Sequence, residues 1–322
     1  MKFDDLVIAD SEKEQNFLRM CISAPTKGGK TFTALRLAFS ISSNIILIDT
    51  ENGRASLYDG ESVDGKTWKW KTIRLNPPYS IARYRAAIEM AVSYGADVLI
   101  VDSLSDEWEG EGGALDWHSQ LGGRFNDWAT VTPEHNKLMD LIEKAPVHII
   151  ATMRSKMDYL ITEDESSGRR KQKVERVGLA PVQRGNVPYR YDFELSMDQA
   201  HNATLVTRMR ALDGWRGNRP GPELMPPIMS WLNSGKEYAW LPDWSEFYRI
   251  VKNQVPSLIA GKSDKEAGAY LGKLIKEELS ITGWEPARAN EAKELLLSLE
   301  AEAARLTNEA EALPVSDTEP TE

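Results

Sequence analysis

The stretch Cys21-Ile-Ser-Ala-Pro-Thr-Lys-Gly-Gly-Lys-Thr31 decides how this chain folds. A short apolar run (Phe17, Leu18, Met20, Ile22) precedes it, and a helical pattern, Thr33-Ala-Leu-Arg-Leu-Ala-Phe39, follows. Strand, glycine-bearing turn, lysine, threonine and helix is the arrangement of a P-loop. Its backbone N–H groups turn inward and cradle phosphate oxygens. The residues that would line such a cradle are Ala24, Pro25, Thr26, Lys27, Gly28, Gly29, Lys30, Thr31 and Phe32. Gly28 and Gly29 let the backbone curl and approach a ligand. Lys30 would reach the outer phosphates, and the Thr31 hydroxyl would ligate Mg²⁺. The pattern G-x-x-x-x-G-K-[ST] places its first glycine at Ala24, the mildest replacement. The bland alternative is a Gly-Gly-Lys-Thr surface turn before an ordinary helix.

Composition sets the bounds. The chain has 322 residues, 41% hydrophobic and 27% charged, with a formal net charge of −10. That length suits one large α/β domain and a smaller appendage. An overall acidic chain lacks a general basic footprint for nucleic acid, so any such contact needs a local patch. Cys21 is the only cysteine, which excludes an internal disulfide and suits a reducing cytosol. Four histidines without paired spacing argue against zinc. The acidic N-terminus does not read as a signal peptide, and no apolar run approaches the roughly 18 residues of a membrane span. A cytoplasmic location is the expectation.

Outward from the P-loop, Asn44-Ile-Ile-Leu-Ile-Asp-Thr-Glu-Asn-Gly53 reads as a strand buried on both faces and ending in acids. The alternation Lys66, Trp68, Trp70, Lys71 suggests an edge hairpin or strand, ended by Pro77-Pro78. A helix is expected from about Ile81 to Tyr94, with Ile81, Tyr84, Ala87, Ile88 and Ala91 on one face. Ala96-Asp-Val-Leu-Ile-Val-Asp-Ser103 is a second buried strand. Residues 104–130 read as a long acidic connection rich in tryptophan, a helix follows near 133–144, and Val147–Arg154 is a third core strand. Residues 155–188 read as a mobile loop or hairpin, and Tyr189–Met197 and Ala203–Met209 as a sheet extension of antiparallel type. The Gly/Pro-rich stretch 213–236 forms a boundary. Beyond it, Asp243-Trp-Ser-Glu and Ser263-Asp-Lys-Glu have capping-box spacing. Leu271, Leu274, Ile275 and Leu279 make one helical face, and Leu295, Leu296, Leu299 and Leu306 another. The fold class is therefore α/β: a P-loop core with a mainly parallel sheet flanked by helices, over 1–236, then a helical region over 237–312 and an acidic, disordered tail over 313–322.

Ligands on such sheets bind at the carboxyl ends of the strands. Asp49, Glu51, Asp102, Thr152 and Arg154 all fall there. Asp102 fits the metal side of the site, with a turn cap as its alternative. Asp49, Glu51, Asp106 and Glu107 are all candidates to orient and deprotonate a water, and the sequence does not rank them. Arg208 and Arg210, spaced by two, read as one face of a strand and as candidate basic fingers, or else as a solvated face; Arg154, at a core strand end, is another candidate finger or a reporter of nucleotide state to the basic loop. Arg169, Arg170, Lys171, Lys173 and Arg176 form a basic cluster that could neutralise a few phosphates, without interleaved aromatics to stack on bases.

The order P-loop, Ile48-Asp-Thr-Glu51, Val101-Asp-Ser103, Thr152-Met-Arg154 and Thr207-Arg-Met-Arg210 resembles the RecA-like recombinase core over roughly residues 16–215. It is closer still to small phage-encoded RecA-like ATPases, including the group implicated in single-strand annealing and recombination. The resemblance implies ATP and Mg²⁺ as cofactors, Lys30 and Glu51 as catalytic residues, and Thr31 and Asp102 on the metal. It implies Arg208 and Arg210 acting across a subunit interface of a ring or filament of identical chains. Thr152 falls where the recombinases carry a sensing glutamine, and Arg154 follows it. It also implies that 155–188 and 104–130 correspond to the second and first DNA-binding loops. The expected partners are single-stranded DNA, further copies of the chain and a single-strand-binding protein. The rival reading is a nucleotide-switched protein-binding module with little turnover. An assembly or packaging motor is weaker, since no nuclease or translocase feature accompanies the core.

Overall fold

A computed structural model describes residues 10–164, 171–236, 244–280, 283–285 and 288–311. The chain divides into two compact units, Met1–Ala91 with Ala96–Tyr238, and Val92–Gly95 with Ala239–Glu322. In the first unit the apolar run before the glycines is strand β1 (Arg19–Ala24), all six residues buried. Helix α1 (Lys30–Ile41) follows and buries Thr33, Ala34, Leu35, Leu37, Ala38 and Phe39. Strand β2 (Ile45–Asp49) is buried throughout. A short hairpin, β3 (Ser62–Val63) and β4 (Lys66–Thr67), turns through Asp64 and Gly65, both at positive φ, and leads to β5 (Lys71–Arg74). Helix α2 (Ile81–Tyr94) buries the five positions that its periodicity named. Strand β6 (Val98–Asp102), helices α3 (Ser105–Glu109), α4 (Ala114–Gln120) and α5 (Trp128–Lys144), and the long strand β7 (His148–Asp164) come next. Strands β8 (Lys171–Pro181), β9 (Phe193–Met197), β10 (Asn202–Thr207) and β11 (Arg216–Asn218) and helix α6 (Met225–Leu232) complete this unit.

Among the described residues the main sheet runs β11-β10-β9-β1-β7-β6-β2-β5. The strands from β9 to β5 are parallel, β10 and β11 run antiparallel at one edge, and β8 pairs antiparallel with the extension of β7. The α/β class with a mainly parallel sheet is thus the fold. A central strand flanked on both sides has no solvent face, which is why β2 and β6 read as apolar runs up to their terminal aspartates. The Trp/Lys alternation reflects a segment with one buried and one solvent side. Trp68 is 1% exposed, stacks on Phe39 at 5.3 Å and covers α1, while Lys66 and Lys71 sit at the surface end of each step.

Several expected boundaries move. The connection 104–130 is folded into α3 and α4, and the helix placed near 133–144 begins at Trp128. The reason is tertiary: Trp108 stacks on Trp128 at 5.7 Å and His118 on Trp128 at 4.1 Å, so these aromatics close on each other. Of the alternatives for 155–188, the hairpin holds: β7 runs on past Arg154 and pairs with β8 from Ser155↔Pro181 to Asp164↔Lys171. Arg208 and Arg210 do not lie on a strand face, because β10 ends at Thr207. There the chain turns back to pack Met209 and Leu212 against the core, and Asp213 accepts the Thr207 N–H.

Buried Arg19 closes the amino end of β1. Its guanidinium donates to the carbonyls of Glu143, Ala145 and Val147, the last turn of α5 and just beyond, where free carbonyls need donors. The second unit holds α7 (Trp244–Lys252), α8 (Asp264–Leu279) and α9 (Ala289–Glu311). Phe247, Val251, Leu271, Ile275 and Leu296 form its core. Ser263 and Glu266 make the expected capping box, whereas Asp243 of the other one and the tail 313–322 lie outside the described residues. Of the second leucine face, Leu296 is buried and Leu306 is 53% exposed.

Candidate nucleotide-binding site

The P-loop leaves the carboxyl end of β1 and enters α1. A Cβ on Gly28 would lie 2.7 Å from the Ala24 Cβ, so the methyl of Ala24 fills the space that the turn needs glycine to leave open. Gly29 enters the helix at φ 85, a left-handed value that residues with a Cβ rarely adopt. The departure from the motif at Ala24 is therefore accommodated by the turn.

Lys30 Nζ donates to the carbonyls of Ala24 (3.2 Å) and Pro25 (3.3 Å), folding the ammonium over its own loop. Burial pulls its pKa below the usual lysine value, and the carboxylates of Asp102 and Glu51 oppose that shift. The Thr31 hydroxyl donates to Asp102 Oδ2 at 2.7 Å, across the gap between α1 and the end of β6. Asp102 Oδ1 accepts from Thr152 on β7. Burial raises the Asp102 carboxyl above the usual range, while the hydroxyls of Thr152 and Thr31 hold it down.

The four candidate bases separate once contacts are known. Asp49 accepts the N–H groups of Glu51 (2.8 Å) and Gly53 (2.7 Å), so both its oxygens tie the turn after β2. Glu107 is fully buried, 3.0 Å from His135 Nδ1 and 3.0 Å from Gln183 Nε2, facing the interior. Asp106 accepts from the Thr50 hydroxyl at 2.7 Å and from Arg154. Glu51 lines the cavity with its side chain 18% exposed, touching Arg54 at 3.2 Å and Arg154 at 3.6 Å.

Lys30, Thr31, Glu51, Asp102, Asp106 and Arg154 share one cavity of about 1120 Å³. Arg154 is gripped by carboxylates, with Glu109 at 3.5 Å beside Asp106 and Glu51. Thr152 is fully buried and outside the cavity wall, so its hydroxyl acts on the site through Asp102. Arg208 is 70% exposed, pairs with Asp192 at 3.4 Å and lies level with Phe193 and Met20, at the end of the sheet opposite the P-loop. Arg210 is exposed in the turn that follows. Lys171, Lys173 and Arg176 stand on β8 in register with Asp164, Thr162 and Tyr159. Arg169 and Arg170 lie outside the described residues. Sequence reasoning missed His201, Arg219 and Tyr79, which also line the cavity. No motif signals them, because they reach it from chain segments remote from the P-loop.

The donor set suits a magnesium ion. A hydroxyl and a carboxylate oxygen 2.7 Å apart are hard ligands open to the cavity, and Mg²⁺ keeps most of its waters. Among the described residues no group of three His, Cys, Asp or Glu side chains converges to hold a metal by itself.

A glycine-turned loop at the carboxyl edge of a parallel sheet, with lysine and threonine facing an aspartate two strands away, defines a P-loop nucleoside-triphosphate-binding domain. A family model described as an AAA domain matches residues 16–209, and the chain belongs to that family. None of the curated proteins matches it. Among the described residues no helix is long and apolar enough to cross a membrane.

Proposed function

We propose that this chain is a Mg²⁺-dependent ATPase that acts on single-stranded DNA in phage recombination, annealing or replication, as an assembly of identical subunits. The observation that carries the enzymatic part is the convergence of Lys30, Thr31, Asp102 and Glu51 on one cavity. Lys30 exchanges the carbonyls of Ala24 and Pro25 for β- and γ-phosphate oxygens, while the loop N–H groups hold the chain of phosphates. Thr31 and Asp102 would hold Mg²⁺, which supplies charge neutralisation at the phosphates when bound. Glu51 orients the attacking water and accepts its proton: Asp49 and Glu107 are occupied elsewhere, and Asp106, on the same cavity, is held by the Thr50 hydroxyl and Arg154. Arg154 senses the outer phosphate by exchanging a carboxylate for it.

The DNA part draws on connectivity. Strand β7 carries Arg154 and continues unbroken into the ribbon whose other strand bears Lys171, Lys173 and Arg176. Arg208 and Arg210 are exposed at the far end of the sheet, remote from this chain's own P-loop, so they would act on a nucleotide only across an interface with a neighbouring subunit. ATP turnover with and without single-stranded DNA tests the proposal. Lys30→Ala abolishes turnover; unchanged turnover refutes the P-loop assignment. Absence of both DNA stimulation and salt-sensitive DNA binding refutes the nucleic-acid part. A second reading, a nucleotide-switched protein-binding module, draws on the separate core of the C-terminal unit. Truncation after residue 236 separates the two: the first keeps DNA binding, and the second loses a protein partner without a DNA phenotype.

A further inference from the structure

The cavity of about 1120 Å³ is lined well beyond the P-loop. Its outer wall is built from two segments that the P-loop motif does not include: His201, in the turn between β9 and β10, and Arg219-Pro220, after β11. Both His201 (φ 63) and Arg219 (φ 53) adopt left-handed backbone, which disfavours residues with a Cβ. The two are joined, since the Arg219 N–H donates to the His201 carbonyl at 2.9 Å. His201 Nδ1 lies 3.2 Å from the Gly28 carbonyl, which fixes this wall to the phosphate loop itself.

A clamp holds the wall in place. Arg36 on α1 grips Asp64 through two nitrogens, at 2.6 and 2.8 Å. Its remaining nitrogen donates to the carbonyls of Arg219 (3.1 Å) and Pro220 (3.4 Å). The Arg36 charge is thereby spent on Asp64, and the guanidinium left free is that of Arg219. Among the described residues that group has no hydrogen-bond or ion-pair partner, and the residue is exposed. Leu57 is 78% exposed and lines the same cavity, beside Tyr58, whose ring packs on Phe32 at 5.4 Å. A strained, clamped segment that presents one planar cation, together with an uncovered leucine, suits a flat aromatic ligand.

We infer that this outer compartment is a nucleobase subsite, in which the base of the bound nucleotide stacks on the Arg219 guanidinium and is covered by Leu57. This rests on the nucleotide reading of the P-loop. Arg219 is then a specificity-determining residue: it separates a nucleotide from bare polyphosphate, whereas Lys30 and Thr31 bind both.

Calorimetric titration of the full chain with ATP and with inorganic tripolyphosphate, each with Mg²⁺, tests the inference. Arg219→Ala should weaken ATP roughly tenfold and leave tripolyphosphate within about twofold. Arg219→Lys keeps the charge but loses the planar face, so most of the ATP loss should persist. Leu57→Ser, at a surface position, should weaken ATP selectively as well. Unchanged ATP affinity in Arg219→Ala, full recovery in Arg219→Lys, or a parallel loss of tripolyphosphate would overturn the subsite. Failure of the P-loop reading is distinguishable, because the unmodified protein would then bind neither ligand.

Discussion

His148 opens β7, the strand whose other end delivers Thr152 and Arg154 to the site. Its Nδ1 accepts the Leu18 N–H at 3.0 Å, which only a neutral imidazole can do. Burial, with a smaller push from the Arg19 guanidinium against a pull from Asp97, lowers its pKa from 6.5 to about 4. The unfolded chain therefore binds this proton more tightly than the folded one. Stability is fully present above pH 6.5 and is lost as pH falls from there towards 4. A gap of about 2.5 pK units at 1.36 kcal/mol each gives a loss of about 3 kcal/mol below pH 4, of which about 2 kcal/mol appears by pH 5. His148→Asn supplies an amide oxygen near Nδ1, preserves the acceptor and removes the titration. Urea unfolding of both proteins at pH 7.5 and pH 5 isolates the effect: the unmodified protein should lose about 2 kcal/mol more than the variant. An equal loss in both, or an NMR-determined His148 pKa near 6.5, refutes the reasoning.

Further outcomes follow from the site and the core. Glu51→Gln should lower kcat by about a hundredfold or more while ATP affinity stays within a few-fold; retained turnover would move the base elsewhere. Thr152→Val removes a donor to buried Asp102, so the carboxyl rises further. The Mg²⁺ concentration for half-maximal turnover should increase, with a stability loss of about 1–2 kcal/mol in urea melts. Trp68→Ala, at a side chain 1% exposed that stacks on Phe39 and meets the Phe32 ring at a tilt, should cost about 3–5 kcal/mol. A near-normal denaturation midpoint would show that α1 does not depend on that stack.

The sequence by itself determined the P-loop, the buried strands, the five buried positions of α2 and the placing of acids at strand ends. Those features are written in adjacent residues: apolar runs record burial on both faces, glycines record a left-handed turn, and a spacing of three and four records a helical face. Only the tertiary structure decided that Glu51 and Asp106 face the cavity, while Asp49 ties its own turn and Glu107 faces the interior. Asp49, Glu51, Asp106 and Glu107 look alike in the chain, and they differ through partners far away in it, such as His135 on α5 for Glu107. It also decided that Arg208 and Arg210 leave the sheet at the end remote from Lys30, and that His201 comes to the P-loop from 173 residues away. Side-chain direction at a strand end is set by the neighbour it meets, and that neighbour is chosen by sheet order, which no local periodicity encodes.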